Sequence, residues 1–291
     1  MDNKAKISII MNCHNGSKYL KIALNSIINQ TYSNWELIFY DNNSDDNSKK
    51  ILESYNEPRF KYFQSNSFLK LVTARNNAFK KATGKYISIL DTDDYWHHNK
   101  IQLQLEKFSD NNIGVVFGLC QHINKFGNKT YIKKIHKNYC KKNFLENYLS
   151  NQLISNSSIM IDSDILEKLN YIYNDTYELI HDFDLNIRLF DFCIFDYVDS
   201  IVLYRRQHDD NYSNKDYSIQ IKEMQNWILN NNDKYANKLL HLFKENIYLL
   251  MFFHELKNRN FFKSLTIFFK LPLNKKLTLL YNKFFKIFIN V

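Results

Sequence analysis

Tyr86-Ile87-Ser88-Ile89-Leu90-Asp91-Thr92-Asp93-Asp94-Tyr95-Trp96 is the stretch whose reading decides the fold. Its first half is apolar and β-branched, Gly84 punctuates it in front, and three carboxylates end it. That pattern predicts a buried strand running into an acidic turn. Working upstream, Ile7 to Met11 reads as a second buried strand, followed by a turn at Asn15-Gly16-Ser17 and by Leu20, Ala23, Leu24, Ile27 and Ile28 on one helical face. Leu37 to Tyr40 is another strand, ending at Asp41, and Ser44 with Asp45 and Asp46 reads as a helix start. Phe60 to Phe63 fits a short third strand, and the spacing predicts a helix from about Leu69 to Ala82 that stops at Gly84. Strands and helices alternating over short connections predict an α/β fold on a mostly parallel central sheet. Both acidic clusters then lie at carboxyl ends of strands, the edge where open α/β sheets bind ligands.

Working downstream, a helix through Ile101, Leu105 and Phe108 leads to a strand at Ile113 to Phe117. Beyond it the pattern loosens between Gln121 and Tyr177. Ser158 to Ile161 reads as a strand, Asp182 to Phe190 as a helix, and Ile201 to Tyr204 as a strand leading into Arg205-Arg206-Gln207-His208. From about Ser218 the chain reads as helical, which divides it into a domain over 1–215 and a basic, aromatic extension over 216–291.

The 291 residues are 45% hydrophobic and 24% charged, with only 5 Gly and 2 Pro, which excludes disordered and collagen-like chains. Cys13, Cys120, Cys140 and Cys193 form no CxxC pair, so neither a zinc ribbon nor a disulfide scaffold is expected, and a reducing compartment fits. The N-terminal run reads as a strand without an export signal. The formal net charge is +9, and after Glu255 there are eight basic residues and no acidic one. Those residues are interleaved with Phe261, Phe262, Phe268, Phe269, Phe284, Phe285 and Phe288. Leu277, Leu280, Tyr281, Phe284, Phe285 and Phe288 share one helical face. The pattern points to an anionic membrane surface over 257–291 and away from nucleic acid. Packing of that face on the protein or on a second subunit is the alternative. No apolar run approaches the roughly 18 residues that span a bilayer.

Three carboxylates in the turn Asp91-Thr92-Asp93-Asp94 repel one another, and a hard divalent cation, Mg²⁺ or Mn²⁺, relieves that repulsion. A solvated helix-capping turn is the plain alternative. Asp41 suits hydrogen bonds from a base or ribose, or a simple turn and cap. Asp182, at a helix start, suits a general base, or a structural N-terminal carboxylate. His208 suits metal or phosphate, or an ordinary polar contact.

Taken in order, Ile9 to Gly16, Gln30 to Ile38, Asp41 to Asp46, Ala74-Arg75-Asn76, Gly84 to Ile87 and Leu90 to Trp96 resemble the motifs of the bacterial inverting, nucleotide-sugar-dependent glycosyltransferases of family-2 type. His181-Asp182 and Arg206-Gln207-His208, with Asn211 and Ser213, resemble two later motifs. The resemblance implies a GT-A fold, a Rossmann-like nucleotide-diphospho-sugar transferase domain, plus a C-terminal helical tail. It implies that His14 packs on the base, Asp41 hydrogen-bonds uracil, Arg75 lies near base and phosphates, and Asp91 contacts ribose. It also implies that Asp93 ligates Mn²⁺ or Mg²⁺, that His208 reaches the metal or diphosphate, and that Asp182 is the catalytic base. Asn12 departs from the usual Pro, His14 from Tyr, Asn42-Asn43 from Asp-Gly, and His181 from Glu. The implied activity is hexosyl or N-acetylhexosaminyl transfer from a nucleotide-sugar donor, UDP-linked, to a glycan or lipid-linked glycan acceptor. The expected location is cytoplasmic, peripheral on the inner face of the membrane. A non-catalytic nucleotide-binding or membrane-docking module is the competing reading. A phosphatase with an Asp nucleophile lacks the expected hydroxyl after Asp93, and a dinucleotide oxidoreductase lacks GxGxxG after the first strand.

Overall fold

A computed structural model describes residues 5–110, 112–133, 144–151, 154–209, 211–212, 217–235, 237–273 and 275–276. The elements are β1 Ile7–Cys13, α1 Ser17–Ile28, β2 Trp35–Asp41, α2 Ser48–Glu53, β3 Phe60–Gln64, α3 Leu71–Phe79, β4 Tyr86–Ile89 and β5 Tyr95–Trp96. They continue with α4 Lys100–Leu105, β6 Ile113–Asn124, β7 Lys129–Lys133, α5 Phe144–Asn151, β8 Met160–Asp162 and α6 Ser163–Leu166. The last are α7 His181–Leu189, β9 Ile194–Gln207, α8 Tyr217–Asn230, α9 Asn237–Lys257 and α10 Phe261–Lys270.

The strands form one sheet in the order β3-β2-β1-β4-β8-β6-β9-β5, with β7 on β6. β3, β2, β1 and β4 pair in parallel, β8 runs against both β4 and β6, and β9 is parallel to β6. Two reversals restore direction, so β6 and β9 point the same way as the first four, and the central sheet is mostly parallel as expected. Helices cover both faces of such a sheet, which is why β1 and β2 read as continuous apolar runs rather than alternating ones.

The polar exception inside β1 has a purpose. Ser8 Oγ donates to Glu36 Oε1 at 2.6 Å and accepts from the backbone N–H groups of Thr83 and Gly84 at 3.0 and 2.8 Å. Gly84 is obligatory there, since a Cβ would stand 2.5 Å from Ser8 N and 2.7 Å from Lys6 O. The sequence expectation of a helix stop at Gly84 thus has a second cause, the close approach of the chain entering β4 to β1.

Several boundaries differ from expectation. Ser44 does not open a helix; α2 starts at Ser48, because Ser44 Oγ accepts from Asn15 N at 2.9 Å and Ser44 N donates to Asp41. Asn15 and Asn43 hold left-handed backbones, with φ of 53° and 59°, a conformation asparagine tolerates better than most residues. The helix expected over Leu69 to Ala82 is shorter, and β6 and β9 are much longer than their expected cores because they pair with each other along nearly their whole lengths. β5 and β7 went unanticipated.

The described residues form two compact units. One holds the whole sheet with α1–α4, α6 and α7; the other holds α8, α9, α10 and most of α5. Among the described residues no helix is long and apolar enough to cross a membrane. Cys140, Ser213 and the face carrying Leu277, Leu280, Tyr281, Phe284, Phe285 and Phe288 lie outside the described residues.

Candidate active site

The carboxyl ends of β1, β2 and β4 are level: Cys13 pairs with Asp41, and Ile10 with both Ile38 and Ile89. Everything that leaves those ends therefore meets. Asp41 is almost fully buried; its Oδ1 accepts from Ser44 N and its Oδ2 from the Tyr62 hydroxyl, both at 2.8 Å. Asn42 closes the same loop, donating to Leu69 O at 2.8 Å and accepting from Leu69 N at 2.9 Å. His14 Nδ1 lies 3.0 Å from Asn42 O, and its ring meets Phe68 at a 4.5 Å centroid separation. Phe68 itself is 61% exposed, which leaves an open aromatic rim beside the His14 position.

The turn after β4 is held against α1 and β9. Glycine is needed at position 16, where a Cβ would fall 2.9 Å from Thr92 Oγ1 and 3.0 Å from Cys13 Sγ. Asp94 is buried and accepts from Arg206 N at 2.9 Å, and Arg206 Nε donates to Asp93 O at 3.1 Å. The Arg206 guanidinium sits 4.4 Å over the Tyr19 ring, which also meets the His208 ring at 5.3 Å. His208 Nε2 lies 3.0 Å from Asp93 Oδ2. Burial pushes the Asp93 carboxyl up, the Asp91 charge adds to it, and His208 opposes both. Asp94 is raised further by burial and by the charges of Asp93 and Asp91.

Asp91 faces the other way. Arg75 Nη2 donates to Asp91 Oδ1 at 2.8 Å, and Ser157 Oγ donates to Asp91 Oδ2 at 3.2 Å. Arg75 also meets His181 Nε2. Arginine has no acceptor, so Nε2 accepts, the proton sits on Nδ1, and Nδ1 donates to Glu178 O at 2.8 Å. His181 is thereby fixed as a neutral ring; burial first, then the Arg75 charge, depresses it to about 4. Asp182 follows at the start of α7, where its Oδ1 accepts from Phe183 N at 2.8 Å. Its charge reaches Arg75, Tyr173 and Arg205, and Asp91 acts on the same three.

Arg75, Asp91, Asp93, Asp182 and His208 are thus joined by direct bonds or shared electrostatic partners. His14 stands one strand along the same edge, after β1, and Asp41 two, at the end of β2. Sequence reasoning did not single out Ser157, Tyr173 or Arg205. Ser157 sits in a short 3-10 turn, Asn156–Ser158, in the loosely patterned stretch, and carries no local motif. An open depression of about 430 Å³ lined by Ile22, Asn25, Tyr95, His98 and Tyr204 includes none of the site residues.

The residues fit a divalent cation in one specific sense. Asp93 stays raised by burial and by the Asp91 charge although His208 offsets part of that, and Asp93 with His208 offers a carboxylate and an imidazole on one side. No group of three or more His, Cys, Asp or Glu side chains among the described residues is arranged to hold a metal unaided. Mg²⁺ and Mn²⁺ typically take one or two protein carboxylates and complete their shell with substrate phosphates and water, so this donor set matches an ion that arrives with a diphosphate.

Residues 8–170 match the family model for glycosyl transferase family 2. The chain belongs to that family. A UDP-Glc:alpha-D-GlcNAc-diphosphoundecaprenol beta-1,3-glucosyltransferase, WfgD of Escherichia coli, is 37% identical over 119 residues, 40% of this chain and 47% of WfgD. The chain therefore matches about half the length of that relative. Among solved structures, S. aureus TarS 1-349 in complex with UDP-GlcNAc superimposes with a TM-score of 0.61 at 15% identity, covering 86% of this chain and 72% of that one. The mannosyltransferase PcManGT from Pyrobaculum calidifontis, in complex with GDP-Man and Mn²⁺, gives a TM-score of 0.64 at 13% identity, covering 98% and 81%. At these identities the likeness is one of fold, and it is the fold the ordered motifs implied for a family 2 member.

Proposed function

We propose that this chain transfers a sugar from a UDP-linked donor to a hydroxyl of a lipid-linked or cell-envelope glycan, with inversion and with a divalent cation. The observation that carries the reading is the convergence of Arg75, Asp91, Asp93, Asp182 and His208 on one sheet edge. The acceptor hydroxyl oxygen forms a bond to the anomeric carbon as its proton passes to the Asp182 carboxylate. The bond from that carbon to the diphosphate oxygen breaks, and its electron pair leaves with the nucleoside diphosphate. Asp93 and His208 would hold Mn²⁺ or Mg²⁺, which supplies Lewis-acid stabilisation of the departing charge. Arg75, kept cationic and oriented by Asp91 and His181, stands beside the diphosphate. His14 and the Phe68 rim would flank the base, with the loop shaped by Asp41 beneath it.

The UDP donor is supported by the nucleotides named for WfgD and for the TarS complex, the metal by the Mn²⁺ of PcManGT, and the acceptor class by the diphosphoundecaprenol of WfgD. The basic, aromatic segment 257–291 would bring the enzyme to an anionic membrane surface on the cytoplasmic side, which suits a lipid-linked acceptor. Asp182→Asn is the direct test. Donor affinity is expected to stay within about twofold while transfer falls about 10³-fold, the range of a lost general base. Turnover comparable to the parent would overturn the assignment.

A further inference from the structure

α10 has three faces, and only one of them is explained by packing. Ser264 and Ile267 are buried, and Phe268 meets Phe252 of α9 at 5.9 Å, so this side is the seam between α9 and α10. Arg259 makes the turn between the two helices with a φ of 58°, and Asn260 caps α10 by accepting from Lys263 N. Lys263 and Lys270 lie on the second side, where Lys263 pairs with Glu255 at 2.6 Å. The third side carries Phe261, Leu265 and Phe269 at i, i+4 and i+8, with Phe262 beside them. Those four are 66%, 54%, 69% and 90% exposed, and Leu273 just past the helix is 71% exposed.

A row of large apolar side chains this open departs from the scattered single exposures of an ordinary soluble surface. Charge decides what covers it. Lys257, Arg259, Lys263, Lys270, Lys275 and Lys276 surround the row in sequence, and no acidic residue follows Glu255. A second copy of the same basic face would bring like charges together, whereas a bilayer bearing anionic headgroups offers both an apolar layer for the phenylalanines and counter-charge for the lysines. We infer that α10 is an interfacial membrane anchor, lying in the plane of an anionic phospholipid bilayer with Phe261, Phe262, Leu265 and Phe269 turned into it. The inference deepens the membrane-surface part of the proposed function by naming the helix and the face, and it stands apart from the transfer chemistry.

Flotation of the full chain with phosphatidylglycerol-containing vesicles tests it, alongside transfer or donor hydrolysis measured in solution. The parent is expected to float with anionic vesicles, and weakly with pure phosphatidylcholine. Phe262→Ser with Phe269→Ser is expected to cut the partition coefficient about tenfold or more, given the apolar area withdrawn, with solution activity unchanged. Lys257→Glu with Lys270→Glu leaves the apolar row intact and is expected to weaken binding to anionic vesicles alone. Equal flotation of the phenylalanine variant and the parent overturns the inference. So does a parent that floats with neither vesicle but loses a dimer on the same substitutions, which would identify a second copy as the occupant. A drop of several degrees in melting temperature in the phenylalanine variant would show that the chain covers this face itself. Asp182→Asn should float normally, so failure of the anchor and failure of the transferase reading give different results.

Discussion

Asp41 and Asp91 end strands that flank β1 on either side, and the protein uses them in opposite ways. Asp41 is 1% exposed and spends one oxygen on a backbone amide and the other on a tyrosine hydroxyl, so its charge is converted into the shape of a loop. The Asp91 side chain is 38% exposed and is held by a guanidinium and a serine that orient it toward its neighbours' charges. Residue type and strand-end position are shared; what differs is the third element that arrives. β3 brings Tyr62 to Asp41, while α3 and the Asn156–Ser158 turn bring Arg75 and Ser157 to Asp91. A strand-end carboxylate becomes structural or functional according to whether hydrogen-bond donors close over it or leave one side open.

The comparison breaks most visibly under Asp91→Asn. That change removes the counter-charge of buried Arg75 and the carboxylate proposed to meet the donor, and kcat/KM for the nucleotide sugar is expected to fall about 100-fold, close to 3 kcal/mol. Asp41→Asn should act on the fold instead. Its amide would oblige the Tyr62 hydroxyl to turn from donor to acceptor and would weaken both bonds that hold the loop, lowering the melting temperature by several degrees, with kcat changed less than about fivefold. Steady-state kinetics and thermal melts on the two variants decide it. A donor KM that rises for Asp41→Asn without loss of stability would move Asp41 to the functional side.

His181 offers a smaller and more specific probe. As a neutral acceptor it orients Arg75 without consuming its charge, so the guanidinium answers to Asp91 and keeps the charge that the proposed donor site calls for. His181→Gln, which keeps a neutral acceptor, is expected to hold donor KM within about threefold. His181→Glu places a second carboxylate against Arg75 and should raise donor KM about tenfold with a smaller change in kcat. The same geometry has a stability consequence. A ring held at about 4 when folded, against an ordinary value of 6.5, binds its proton more readily in the unfolded chain. Its contribution is therefore complete above pH 6.5 and is lost as pH falls toward 4, with a slope of at most about 1.4 kcal/mol per pH unit. Denaturant melts across that window should show a shallower acid loss in His181→Gln than in the parent.

How much of this was legible in the sequence follows from the same physics. β1, β2 and β4 were readable because strands buried on both faces write continuous apolar runs, and their acidic ends were readable because charge stops such runs abruptly. The long β6 and β9 were only half visible, since each is defined by the other over a separation of about eighty residues. Ser157 and Tyr173 left no local trace; they matter through tertiary contacts to Asp91 and Arg75, from a stretch without periodicity. Asp94 was read with its neighbours as part of a carboxylate cluster for a cation, yet the structure commits it to the Arg206 amide and so to docking β9 beside the turn. The sequence displayed three equivalent carboxylates; burial sorted them.

The smallest effect sharpens the contrast between the two aspartates. The Tyr62 hydroxyl, raised by burial and by its bond to Asp41, remains a donor at every pH the protein meets. Removing it in Tyr62→Phe leaves the aromatic ring, stacked on Phe39 at 6.1 Å, and takes away one of the two hydrogen bonds that hold the Asp41 carboxyl oxygens. Loss of a hydrogen bond to a buried carboxyl acceptor is expected to cost about 1.5 kcal/mol, read as a lower denaturant midpoint with unchanged slope. Donor affinity should stay within about twofold, because Ser44 N still fixes the loop and His14 still packs on Phe68. If Tyr62→Phe instead tightened or loosened the donor by tenfold with stability unchanged, the carboxylate of Asp41 would have been free to reach the nucleotide, and the division between a carboxylate that shapes and a carboxylate that acts would fail at its quieter end.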